Sequence, residues 1–312
     1  MGNSLAFVFP GQGSQYVGMG KGLSADFAVA KNTFAEADDA LAFPLSDLCF
    51  SGPEEDLKLT ENTQPAILAA SVAALRVLQA ETPLQPTLLA GHSLGEYSAL
   101  VAAGAIEFRD ALKIVRARGR LMQQAVPTGE GAMAVLLGLD ADATSALCAE
   151  ASGDEIVAPA NFNGGGQIVI AGTKRAVERA VVLAKKRGAK RALDLPVSAP
   201  FHSPLMKPAA EGLQALLQDI PVCPLKIGVL TNVEAEVNWS SERVKSLLVE
   251  QAIRPVRWEQ SVQKFGALGV RQMIEVGPGK VLKGLIKRIE PGMIVENFDT
   301  PQDLSKILSL VQ

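Results

Sequence analysis

Gly91, His92, Ser93, Leu94 and Gly95 form a G-x-S-x-G pentapeptide inside the stretch 87–103, TLLAGHSLGEYSALVAA. A short apolar run leads into it and a run of small residues with helical character leads out. In that setting the five residues read as a nucleophile elbow. Two glycines let the backbone turn sharply from strand to helix, so that the Ser93 hydroxyl projects at the strand's carboxyl end. The amide of Leu94 then points to where a tetrahedral oxyanion would form. An ordinary strand-to-helix turn with an incidental serine has the same five letters, so the reading rests on the flanking runs. A serine nucleophile needs a base, and imidazole is suited to the task because it titrates near neutrality. The chain has two histidines. His92 precedes Ser93 directly, and its side chain should diverge from the hydroxyl, which leaves His202 as the base. No Asp or Glu stands out as a third, orienting member: Asp194 belongs to a different strand, and the acids beyond His202 fall in helix-like or polar stretches. A group other than a carboxylate is expected to hold the imidazole.

A third residue stands out by being in the wrong place. On a helical wheel of the segment 107–126, Phe108, Ala111, Leu112, Ile114, Val115, Gly119, Leu121 and Met122 fill one side, with Arg118 in their midst. Arg109, Lys113, Arg116 and Arg120 occupy the opposite side. A guanidinium in an apolar arc is costly unless it meets a partner. Two partners fit: an internal Asp or Glu, or a substrate carboxylate held bidentately.

The elements that must position these groups follow from pattern. The run 5–9 is unbroken and apolar, as a buried parallel strand is, and stops at Pro10-Gly11-Gln12-Gly13-Ser14-Gln15. A nucleotide-binding fingerprint fails there, because Tyr16 stands where its third glycine would be. The loop reads instead either as a close approach of backbone and Gln12 to a ligand or as a plain turn. Helices are expected over 25–41 and 64–80, the second with Pro65 in its first turn. Between 129 and 197 a compact series appears: strand 132–139, helix 143–151, strands 156–161 and 167–171, helix 174–187 and strand 190–195. That βαββαβ order matches a ferredoxin-like unit. The alternation of strand and helix resumes beyond it, with helices at 241–252, 257–265 and 280–288, strands at 227–231, 272–276 and 293–298, and a last helix from Pro301. The expected organisation is an α/β catalytic domain with a mostly parallel sheet, formed by residues 1–127 and 198–312, carrying an inserted ferredoxin-like subdomain at 128–197. The site should lie in the cleft between them.

Composition narrows the class. A chain of 312 residues with 48% hydrophobic and 20% charged residues can bury a large core. A net charge of -3, with acids and bases interspersed, gives no reason to expect nucleic acid as a partner. The basic group Lys185, Lys186, Arg187, Lys190 and Arg191 reads as a solvated helix end or, failing that, as a contact for an acidic partner. Cys49, Cys148 and Cys223 are scattered without C-x-x-C spacing, which fits a reducing cytoplasm and argues against a thiolate metal site. The N-terminal residues carry neither a basic flank nor an apolar leader, and the most apolar segment, 66–78, is too short to span a bilayer, so no membrane role is expected.

Several stretches together closely resemble the malonyl-CoA:acyl carrier protein transacylase family. They are F-V-F-P-G-Q-G-S-Q at 7–15, G-H-S-L-G-E at 91–96, R-A-R-G-R-L-M-Q around Arg118, S-A-P-F-H-S at 198–203, and V-E-Q-A-I-R-P-V-R-W around Gln251. The resemblance runs from the first strand to the final helices. It implies an α/β-hydrolase-like core with the inserted ferredoxin-like subdomain, and a ping-pong transfer of malonyl through an ester on Ser93 to the phosphopantetheine thiol of acyl carrier protein. It implies that His202 is the base, that the Gln251 carbonyl orients it, and that the amides of Gln12 and Leu94 form the oxyanion hole. Arg118 would bind the malonyl carboxylate, with Gln64 and Asn161 lining the pocket. Phe201 before the histidine and Leu94 after the serine match malonyl-selective rather than methylmalonyl-selective members. No metal or redox cofactor is implied beyond malonyl-CoA and the carrier. Bacterial fatty-acid synthesis is the implied setting. A serine esterase or thioesterase on the same elbow, and an acyltransferase acting in trans for a polyketide pathway, are the alternatives. A catalytically dead scaffold would be expected to have lost Ser93, His202 or Arg118.

Overall fold

The computed structural model describes residues 4–197 and 199–309. Ser198, which opens the S-A-P-F-H-S stretch and the resumed segment, lies outside the described residues. The apolar run at 5–9 forms β1 (Ser4–Phe9). The helix expected over 25–41 is two, α1 (Lys21–Asp26) and α2 (Ala28–Leu41), because Phe27 between them is extended. Two further short helices, α3 (Leu45–Ser51) and α4 (Glu54–Lys58), precede α5 (Thr60–Glu81). The last begins a turn earlier than Pro65 suggests. Asn62 Nδ2 donates to Asp56 O (2.9 Å) and Thr63 Oγ1 to Leu57 O (2.5 Å), so these side chains tie the first turn back to α4 instead of capping a later start.

The elbow strand β2 (Leu88–Gly91) leads into α6 (Gly95–Ala102), and α7 (Phe108–Gln124) follows. The smaller unit comprises β3 (Gly131–Leu137), α8 (Ala141–Ser152), β4 (Val157–Gly164), β5 (Gln167–Thr173), α9 (Lys174–Lys186) and β6 (Arg191–Asp194). Then come α10 (Lys207–Leu217), β7 (Gly228–Leu230), β8 (Val237–Asn238), α11 (Ser241–Ile253) and α12 (Trp258–Ala267). The chain closes with β9 (Val270–Val276), α13 (Val281–Ile289), β10 (Ile294–Phe298) and α14 (Leu304–Leu308).

The strands form two separate sheets. The larger has the order β10-β9-β1-β2-β7-β8 and is parallel except for the two-residue edge strand β8. Its faces are covered by different helices. The core containing Phe7, Phe9, Leu89 and most of α5 lies on one side, and the core containing Val8, Ala90, Trp258 and Leu285 on the other. Because the strands run the same way, the loops after β1, β2 and β7 open at one edge, where Gln12, Ser93 and Asn232 sit.

The smaller sheet is antiparallel with order β4-β5-β3-β6, the ferredoxin-like arrangement in which first and third strands are central. One face packs under α8 and α9 through Leu136, Leu147, Ile170 and Val177. The other face, with Met133, Ala160, Val169 and Ala171, takes Phe201 against it. A backbone splice joins the two sheets' territories: Val256 N donates to Ala160 O and Phe162 N to Val256 O, both 2.9 Å. Among the described residues, no helix is long and apolar enough to cross a membrane.

Candidate active site

The elbow is held together by two glycines at which any larger residue would force the neighbouring backbone to shift. A Cβ on Gly91 would overlap the Gly95 carbonyl, and a Cβ on Gly95 would overlap the Phe9 carbonyl of β1. Ser93 between them has φ 51°, the left-handed region, where an L-residue sits only under constraint. His202 has φ 57° in its own turn, which is closed by Ser203 Oγ donating to Pro200 O (2.6 Å). The two strained residues meet. Ser93 Oγ and His202 Nε2 are 2.7 Å apart, and His202 Nδ1 lies 2.8 Å from the Gln251 carbonyl on α11. That carbonyl can only accept, so Nδ1 carries the proton and Nε2 presents its lone pair to the serine hydroxyl. Burial pushes the His202 pKa down to about 3, with the Arg118 charge adding to the effect, so the imidazole is neutral at pH 7.

Arg118 lies in the apolar face of α7, 2% exposed. Its Nη1 donates to Gln64 Oε1 (2.8 Å), and its Nη2 to Gln251 Oε1 (2.9 Å) and Ser93 Oγ (3.2 Å). The Tyr97 ring lies 5.4 Å from the guanidinium carbon, and Nε has no hydrogen-bond partner among the described residues. All of the acceptors are neutral. The internal ion pair left open by the helical wheel is therefore absent among the described residues. Burial lowers the Arg118 pKa, but no ordinary pH removes the charge.

The Gln12 and Leu94 amides, expected from the sequence as oxyanion donors, are carried by two turns that touch. A Cβ on Gly11 would overlap the His92 carbonyl, so the loop after β1 presses directly on the elbow and brings Gln12 beside it. Neither the Gln12 nor the Leu94 amide has a hydrogen-bond partner among the described residues. Gln64 is buried against Arg118. Phe201 packs between Met122 and Met206 on one side and Met133 and Val169 on the other. Asn161 is buried on β4, but it joins the neighbourhood through its backbone bridge to Val256, and its side chain makes no hydrogen bond among the described residues. His92 does diverge from Ser93: its Nε2 meets Asn163 Oδ1 at 2.9 Å, and burial lowers its pKa.

Three polar residues around the elbow carry no role in the sequence reading. Besides Asn163, they are Glu96 and Asn232, both buried. Glu96 Oε2 accepts from Gln251 Nε2 (2.7 Å) and Asn232 N (3.1 Å), and burial pushes its pKa up to about 7. Glu96 had a signal as the sixth letter of the elbow stretch, where it reads as an ordinary acid in a helix's first turn. Asn232 had none, because its place depends on β7 lying beside β2.

The description "acyl transferase domain" belongs to the family model that matches residues 6–290. Among curated proteins, the malonyl CoA-acyl carrier protein transacylase of Haemophilus influenzae is 52% identical over 285 residues, 91% of each chain. That of Escherichia coli K12 is 48% identical over 305 residues, 98% of this chain and 99% of the other. Among solved structures, an acyl carrier protein S-malonyltransferase from Vibrio cholerae superposes with a TM-score of 0.96 at 51% identity, covering 97% and 99% of the two chains. A malonyl-transacylase solved in complex with a type II polyketide acyl-carrier protein also superposes at 0.96, with 48% identity and 98% and 99% coverage.

Proposed function

The chain belongs to the malonyl-CoA–acyl carrier protein transacylase family within the acyl transferase domain proteins, and from that premise we propose how its residues move a malonyl group from malonyl-CoA to the carrier thiol. Ser93 Oγ attacks the thioester carbonyl as His202 Nε2 takes its proton. The imidazolium is held by the Gln251 carbonyl, which does the orienting work that a carboxylate does in other triads. The carbonyl oxygen, now negative, is met by the amides of Gln12 and Leu94. Collapse expels CoA, whose sulfur receives the proton from His202, and leaves malonyl esterified to Ser93. The phosphopantetheine thiol of the carrier then repeats the cycle in reverse roles. Each half-reaction exchanges one acyl bond for another and returns one proton, so malonyl-CoA and carrier balance the equation by themselves.

Arg118 is the observation that carries this reading. Its buried charge stands 3.2 Å from the nucleophile and, among the described residues, touches only neutral oxygens. An acyl group ending in a carboxylate supplies what is missing, a bidentate anion that exchanges for the Ser93 contact. Acetyl supplies nothing there. Burial is the main cause of the low His202 pKa, and pairing quenches the smaller depression due to the Arg118 charge, so the base strengthens when the right acyl group is bound. Gln64 orients the guanidinium, while Asn161 and Phe201 wall the acyl pocket on the side of the smaller sheet. A cytoplasmic setting and service to fatty-acid synthesis belong to the same proposal.

The test is intact-mass analysis after brief exposure to malonyl-CoA, then to carrier bearing phosphopantetheine. A malonyl adduct that persists in buffer, passes to the carrier and is absent from Ser93→Ala is expected. An adduct lost to water equally fast with or without carrier identifies a hydrolase and sinks the acceptor assignment.

A further inference from the structure

Ser93 holds a left-handed backbone conformation in which a serine does not rest by itself. The strand and helix glycines permit the turn, but permission is not restraint. The restraint comes from a residue 139 positions away in the chain. Asn232, 1% exposed at the end of β7, spans the elbow with its side-chain amide: Oδ1 accepts from Ser93 N and Nδ2 donates to Gly91 O, each at 2.7 Å. One planar group thus fixes the backbone on both sides of His92. The Ser93 carbonyl is held too, accepting from Gln251 Nε2 at 3.0 Å. Glu96 Oε2 accepts from the Asn232 backbone N–H and from Gln251 Nε2, so from α6 it ties down the backbone that carries one clamp and the side chain of the other.

We infer that Asn232 is a positioning residue for malonyl transfer: its side chain locks the elbow in the reactive conformation and occupies the Ser93 amide, leaving the Leu94 amide as the elbow's free oxyanion donor. The inference rests on Ser93 being the nucleophile. Satisfying the Ser93 N–H would need only the acceptor half of the contact. The donor half, on Gly91 O, is what makes the group a splint. Without it, the Gly91 carbonyl and the Ser93 amide lose their shared partner, the turn is held by the bonds from His92 N to Phe9 O (3.1 Å) and from Gly95 N to His92 O (2.9 Å), and a displacement of about 1 Å at the hydroxyl costs roughly 10²-fold in rate.

The carboxamide cannot be replaced by its acid without a pH signature. Asp at this position still accepts from Ser93 N when ionised, but it repels Gly91 O, and it donates there only when protonated. Around it stand Glu96 from α6, Glu234 on its own loop, and Arg257 ahead of α12, which donates its backbone amide to Asn232 O. Arg118 lies one hydrogen bond further through Gln251, and the imidazoles of His92 and His202 flank the elbow.

Rapid-quench acylation by malonyl-CoA, read by intact mass across pH 5.5–8.5, tests this. Asn232→Ala is expected to acylate about 10²-fold more slowly than the unaltered enzyme, with malonyl-CoA KM within about threefold. Asn232→Asp is expected to be slow at pH 8 and to recover relative to the unaltered enzyme as pH falls. Acylation of Asn232→Ala within about threefold of the unaltered rate overturns the inference. So does an Asn232→Asp profile parallel to the unaltered one, which also serves if the alanine variant does not fold. Absence of any Ser93 adduct on the unaltered enzyme defeats the nucleophile assignment itself, a different failure from either of these.

Discussion

The elbow and the four-stranded sheet lie a few residues apart across the Val256 splice, yet they are built on opposite rules. In the small sheet, local preference and final structure agree. Helix α8 is capped by Asp140 and α9 by Thr173, each side chain accepting from an amide three residues on. Two of its arginines pair at the surface: Arg179 with Glu155, and Arg187 with Glu150. At the elbow nearly every local preference is overridden. Ser93 and His202 have positive φ, Arg118 is buried without a carboxylate, and Glu96 is buried with its charged form penalised. On the proposed function this region meets an anion in mid-reaction and leaves its own charge unsatisfied beforehand, so its frustration marks where the substrate would complete it.

The largest effect should come from giving both regions the same steric insult. A Cβ on Gly91 overlaps the Gly95 carbonyl, and one on Gly172 of β5 overlaps the Ile156 carbonyl. Gly91→Ala is expected to lower the acylation rate about 10³-fold, because the helix carrying the Leu94 amide must shift. Gly172→Ala is expected to cost about 1–3 kcal/mol in urea unfolding while the folded fraction acylates normally. Equal rate losses in the two variants would erase the distinction between the regions.

Next in size is Arg118→Met. Malonyl-CoA kcat/KM should fall about 10²-fold and acetyl-CoA should gain relative to it. The urea midpoint should stay or rise, since an uncompensated buried charge is replaced by an apolar chain. A large drop in midpoint would mean that the guanidinium is structural.

The pH dependence of stability sharpens the contrast further. Glu96 is raised from 4.5 to about 7, so the folded state holds its proton more tightly. Its contribution is full below about pH 4.5 and is lost as pH climbs to 7, worth roughly 3 kcal/mol at most. His202, lowered from 6.5 to about 3, has the opposite sign: its contribution is present above 6.5 and lost as pH falls. Between pH 4.5 and 6.5 the two oppose each other. Glu96→Gln should therefore gain stability with rising pH more steeply than the unaltered enzyme over that interval. Parallel urea midpoints from pH 4.5 to 7 would show that Glu96 is ionised in the fold as it is in water.

Legibility in the sequence follows the same divide. The βαββαβ order of the small unit could be read from short-range pattern, because every strand pairs within 70 residues or so and each helix carries its own cap. Ser93 was legible from its two glycines, His202 from scarcity, and Arg118 from a helical wheel. The helices α1, α3 and α4 were not, since segments of five to seven residues are held by tertiary contacts more than by propensity. Gln251 came only through resemblance: its backbone carbonyl has no residue signature. Asn232 could not be seen at all, because the order in which β7 joins β2 is a long-range fact.

The smallest effect concerns an arginine that obeys the rules. Arg179 Nε donates to Ala151 O (2.8 Å) and Nη2 to Ser152 O (2.9 Å), which also accepts from Glu155 N (2.8 Å), so it covers the carbonyl end of α8, while Nη1 reaches Glu155 Oε2 at 2.6 Å. The ion pair is partly exposed and contributes little in water. The two carbonyl contacts are the larger part, so Arg179→Met should cost about 1–2 kcal/mol in the urea midpoint. Transacylase activity at 25 °C should be unchanged, because nothing in the bond from Ser93 to His202 to Gln251 passes through α8. Arg118→Met and Arg179→Met thus exchange signs: one loses rate and keeps stability, the other loses stability and keeps rate. A rate loss in Arg179→Met with an unmoved midpoint would mean that the small sheet acts on the chemistry, and that its regularity serves the cleft and not only its own fold.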